Sequence, residues 1–83
     1  MWPEWWDWEL VFTGHAELRM VQRSVTEVEV RAMLHRASGY SPSFVPGRFM
    51  VETTHHGQPW IIIVEPDSDE RTLVIVTAYE SGR

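Results

Sequence analysis

Three runs, "RFMVETTH", "PWIIIVEP" and "RTLVIVTAYE", constrain the fold more than any other feature of the chain. Each is rich in β-branched and aromatic residues, and turn-forming residues separate them. The links between them, "HGQ" and "DSDE", are short and polar. A link this short can only join antiparallel neighbours, because a parallel crossover needs roughly a dozen residues or more. The sequence therefore predicts an antiparallel meander. "WIIIV" is apolar on both faces, as a central strand is.

The chain ahead of these runs supplies one more strand and two helices. From Trp6 the pattern alternates, with Trp6, Trp8, Leu10 and Phe12 on one face and Asp7, Glu9 and Val11 on the other, which reads as a half-buried strand. Trp2 and Trp5 fall ahead of it, in an arm that could cover a sheet edge or meet a partner. Thr13 is a candidate N-cap for a first helix from Gly14 to Gln22. Thr26 and Glu29 have the spacing of a capping box, flanked by Val25 and Val30 as a hydrophobic staple. The second helix is expected to run to Ala37 with Val30, Met33, Leu34 and Ala37 buried, and to stop at Gly39. "SGYSPSFVPG" reads as a loop. The whole is a single α+β domain spanning residues 1–83, ordered β-α-α-β-β-β, with both helices on one face of a twisted antiparallel sheet.

Composition removes several functional classes. The chain has no cysteine, so neither disulfides nor thiolate metal sites are open to it. No run approaches the ~18 apolar residues of a membrane span, and no basic leader precedes an apolar core, so a cytoplasmic location is expected. Net charge is −5 and every basic residue is arginine. That balance argues against gripping nucleic acid with the whole surface, but leaves room for a small arginine-lined cleft. The acidic run "EPDSDE" lacks the glycine and spacing of a calcium loop and reads as a solvated turn. His55 and His56 end the second predicted strand beside Gly57 and read as turn residues, and because adjacent strand residues point to opposite faces they are not expected to share a metal. One of them could instead face a cleft as an acid–base group. No cofactor motif is present.

One polar pattern stands out. On a helix turning by ~100° per residue, Arg19, Gln22 and Arg23 fall within about 100° of one another and of His15. This stripe runs between apolar residues, with Leu18 and Val21 on one flank and Ala16 and Met20 on the other. His15 would stand at the positive end of the helix dipole, where an uncharged imidazole can serve as a base. Arg48 opens a strand, and Thr77 and Tyr79 alternate in line with Leu73 and Ile75. The stripe is thus expected to face Arg48 and Tyr79.

The blocks "HAELRMVQRSV", "TEVEVRAML", "PGRFMV" and "LVIVTAYE" together resemble a small domain family of unknown function with the signature HAxxRMxxR, grouped with RelE/ParE-like toxins. The likeness extends from Leu10 to Glu80. It implies a toxin-like domain of a toxin–antitoxin system, with a metal-independent endoribonuclease as the first expectation and a cognate antitoxin and RNA as partners. In that expectation His15, Arg19, Arg23, Arg48 and Tyr79 are catalytic, and Gln22 and Thr77 contact RNA. The alternative is a non-catalytic, ParE-like binding module or a homodimer joined through the tryptophan arm, which the acidic balance suits.

Overall fold

A computed structural model describes residues 2–82. It contains β1 (Glu9–Phe12), α1 (Gly14–Arg23), α2 (Glu27–His35), β2 (Gly39–Pro42), β3 (Phe49–His55), β4 (Gln58–Asp67) and β5 (Thr72–Glu80). The strands form one five-stranded sheet in the order β1-β5-β4-β3-β2. The α+β class and the two-helix insertion agree with the sequence expectation, but the sheet is mixed. β1 runs parallel to β5, with Leu10 opposite Leu73 and Phe12 opposite Ile75. The three later strands form the antiparallel meander that their short links require.

The first departure lies at the tryptophans. Glu4–Asp7 forms a 3₁₀ helix, closed by the Trp6 N–H on the Pro3 carbonyl at 3.1 Å, so the strand starts only at Glu9. Trp6 is buried in the core, and Trp5 packs against it. The Trp5 ring lies 5.2 Å from Phe49 and 5.7 Å from Tyr40, centroid to centroid. Arg31 of α2 donates to the Trp6 and Trp8 carbonyls and ties the arm to the helix layer. The second departure is β2, which forms inside the expected loop and pairs Tyr40 with Val51. It is an edge strand, where Pro42 costs no ladder bond on its open side.

Both helices begin as the sequence predicts. The Thr13 hydroxyl accepts the Ala16 N–H at 3.0 Å, and α2 has a complete capping box between Thr26 and Glu29. α1 ends in a Schellman motif. Ser24 is left-handed (φ 59°), its N–H reaches the Val21 carbonyl, and the Val25 N–H reaches Met20 at 2.8 Å. α2 stops at His35, short of Ala37, which is only partly buried. The helices cover one sheet face, where Ala16, Met20, Val30, Met33 and Leu34 meet Val51, Trp60, Ile62, Val64, Leu73 and Ile75. No helix of the described residues is long and apolar enough to cross a membrane.

Two features of the sheet position the site. The β3–β4 link is a two-residue turn in which His56 (φ 52°) and Gly57 (φ 77°) are both left-handed, the mark of a type I′ hairpin. β5 has a bulge. Ile63 pairs with Thr77 and Val64 with Ile75, so Val76 is the extra residue.

Two stability outcomes follow. Trp6→Ala should cost roughly 3–5 kcal/mol in a urea titration, because it empties a core site, whereas Trp2→Ala at the exposed end of the arm should cost under about 1 kcal/mol. Gly57→Ala, which adds a Cβ where φ is positive, should cost about 1–2 kcal/mol and raise the amide exchange of the β3–β4 hairpin.

Candidate functional site

The residues singled out in the sequence do not converge. His15 is exposed on the first turn of α1, and Arg19 is half-buried beyond it. Arg48 precedes β3 on the sheet face away from the helices, where its Nε donates to Glu65 at 2.9 Å. The bulge explains Thr77 and Tyr79. With Val76 inserted, Ala78 takes the inward position beneath α1, and Thr77 and Tyr79 turn to the open face. They are therefore not in line with Leu73 and Ile75, and the sheet stands between them and the stripe. The expected facing of His15, Arg19 and Arg23 toward Arg48 and Tyr79 is overturned. The stripe also has only one buried flank, since Leu18 and Val21 are exposed.

The structure instead gathers the end of the stripe with a different set. Gln22 and Arg23, at the last turn of α1, line a cleft of about 400 Å³ at one end of the sheet. His55, His56 and Gln58 of the β3–β4 hairpin form another wall, with Trp60 and Glu80 from β4 and β5. Arg23 Nη1 donates to Glu80 Oε1 at 3.2 Å. Glu80 points this way because the bulge shifts the alternation of β5 ahead of it.

The two histidines are the unusual element. His55 continues the inward alternation of Val51 and Thr53 and is only 7% exposed. His56 would point the other way on a continuing strand, but its left-handed backbone folds it back. The rings lie 4.1 Å apart, and His55 meets the Trp60 ring edge-on at 5.6 Å. Nδ1 of His55 is buried without a hydrogen-bond partner among the described residues. Burial pushes the His55 imidazole below its ordinary pKa, and His56 beside it acts in the same direction.

Glu29, at the start of α2, adjoins the pair. Its carboxylate accepts the Thr26 N–H at 2.8 Å, which with the two imidazoles nearby holds its pKa below the usual carboxylate value. Ligand atoms of Glu29, His55 and His56 all lie within 4.8 Å of one another. The premise that the adjacent histidines point to opposite faces therefore does not hold, because only His55 lies on the strand. The sequence did carry a signal for this. "HHG" between two strand runs can form a type I′ turn, and such a turn reorients its first residue.

The cleft thus offers a guanidinium, two imidazoles, a carboxylate and two amides around one opening. This set can hold an anion, move protons or hold a cation. No curated protein and no solved structure matches the chain. Residues 12–80, which include α1, the hairpin and every residue lining the cleft, match the family described as "Domain of unknown function (DUF4258)". That match spans most of the chain, and the protein belongs to this family.

Proposed function

We propose that the protein is a small RNA-cleaving domain of the toxin type, related to the RelE/ParE-like toxins, with its reaction centre in the cleft between the end of α1 and the β3–β4 hairpin. The observation that carries this reading is the meeting of Arg23 with the His55–His56 pair around one opening. RNA carries its own nucleophile, so cleavage needs a proton acceptor, a proton donor and a cation at the phosphate. His55, fixed by its burial against Trp60, takes the proton of the 2′-hydroxyl. The 2′-oxygen bonds to phosphorus, and the bond from phosphorus to the 5′-oxygen breaks. His56, on the exposed side, gives a proton to the departing 5′-oxygen. The products are a 2′,3′-cyclic phosphate and a free 5′-hydroxyl. The Arg23 guanidinium faces the phosphate oxygens, and Gln22 and Gln58 offer amides to the flanking nucleotide. Gln22 and Arg23 are kept from the site expected at first, while the hairpin histidines replace His15 and Tyr79.

A second reading rests on a separate observation. Leu18, Val21 and Val28 are 56, 77 and 79% exposed on the two helices. Apolar side chains held so far out of the core suit contact with a protein partner, such as an antitoxin segment that folds on binding. A ParE-like binding module would use this surface without the cleft.

Incubation of purified protein with RNA in a chelating buffer separates these readings. Cleavage with cyclic-phosphate ends is expected, with His56→Ala slower by roughly 10²-fold or more. Arg23→Ala should also be slow, and His15→Ala and Tyr79→Phe should stay near the parent rate. Intact RNA with the parent protein, or equal loss in His15→Ala and His56→Ala, would overturn the assignment.

A further inference from the structure

We infer that Glu29, His55 and His56 form a binding site for a borderline divalent metal of the zinc type. Two imidazole nitrogens and one carboxylate oxygen are a donor set such ions take, and two of the three residues, His55 and His56, also line the cleft. Hard cations such as Mg²⁺ and Ca²⁺ prefer all-oxygen surroundings and suit this set poorly.

Geometry supports the site on three counts. Tetrahedral ligands at about 2.0–2.1 Å from Zn²⁺ stand roughly 3.4 Å apart. The three ligand atoms here lie within 4.8 Å of one another, so a small closing movement completes the set. His56 is exposed and Glu29 half-exposed, so both can make that movement while buried His55 stays fixed. Finally, His55 is more than nine-tenths buried, lines the cleft and has no partner for Nδ1 among the described residues. Burying an imidazole with an unmet nitrogen is costly, and a cation bound among these residues offsets that cost.

The local charges leave room for a cation. Arg23 is engaged by Glu80, and Arg36 donates to the Thr54 carbonyl, so the two guanidiniums nearby are both held by other acceptors. Glu29 accepts the Thr26 N–H on Oε1, and among the described residues Oε2 makes no hydrogen bond. The capping contact then acts as the outer support that orients a metal-bound carboxylate.

The site shares its imidazoles with the proposed ribonuclease chemistry but does not require it. A metal held by both rings leaves neither free for proton transfer, so the bound form would be the silent form of the enzyme. Binding is measured with no RNA present, which keeps a failure here distinct from a failure of the cleavage reading.

The test titrates chelator-stripped protein with Zn²⁺ by calorimetry and with Co²⁺ by visible absorption. One equivalent of Zn²⁺ should bind, the melting temperature should rise, and Co²⁺ should give the d–d bands of a tetrahedral centre with nitrogen and oxygen donors. Glu29→Gln keeps a side chain that can still close the capping box, so it tests the ligand without removing the helix start. Glu29→Gln and His56→Ala should each weaken binding on the order of tenfold or more, and together abolish the Co²⁺ bands. No binding to the parent chain, or equal binding by the double variant, would overturn the site.

Discussion

The inserted residue at Val76 decides which chemistry the molecule can assemble. Its carbonyl accepts the Thr13 hydroxyl at 2.9 Å, and the same oxygen of Thr13 takes the Ala16 N–H. One side chain therefore joins the end of β1, the start of α1 and the bulge in β5. It seats α1 where β1 stops and β5 continues. Because a shift of one residue moves every later side chain to the other face, the bulge also sorts the end of β5. Ala78 and Glu80 go to the helix side, and Thr77 and Tyr79 go to the open side. Without the bulge, Glu80 would face away from Arg23, and the cleft would lose its carboxylate.

The rest of the helix layer follows from terminal chemistry rather than from helix propensity. α1 is short, and only Ala16 and Met20 of it are buried. Thr13 holds one end and the left-handed Ser24 the other, with Val25 delivered into the core by the same turn. α2 starts on its capping box and covers β3. The tryptophan arm then fills the corner that this layer leaves open, where Trp5 and Trp6 reach Tyr40 and Phe49. A chain of this size has few other ways to bury enough apolar surface.

Much of this was legible in the sequence. The meander, both caps, the buried stripe of Val30, Met33 and Leu34, and the solvated turn after Asp67 all follow from local rules. What was not legible depended on partners distant in the chain. Alternation at Trp6 and Trp8 looks like a strand until Pro3 closes a 3₁₀ turn beneath it. "GYSP" looks like a loop until β3 offers it an edge. Nothing in "LVIVTAYE" marks an extra residue, since the bulge contains no glycine and is fixed by Thr13 from far away. The expected facing of the stripe toward Arg48 and Tyr79 broke down at that point. Gln22 and Arg23, singled out from the sequence, line the cleft, but Arg48 and Tyr79 lie on the other face of the sheet. The histidines were read as turn residues, one of which could face a cleft as an acid–base group, but the rule that strand neighbours diverge does not reach His56, which sits in the turn.

The parallel pairing of β1 with β5 has a consequence for how the molecule comes into being. The first strand made is the partner of the last, with both helices and the entire meander between them. Until β5 is made, β1 has no strand to pair with. The meander can zip locally, but the sheet closes only when β5 is free of the ribosome, through contacts of nearly the greatest sequence separation available. α1 docks on that same late strand. Arg23 meets Glu80 only then, so the cleft takes shape after the helices and the β3–β4 hairpin that frame it.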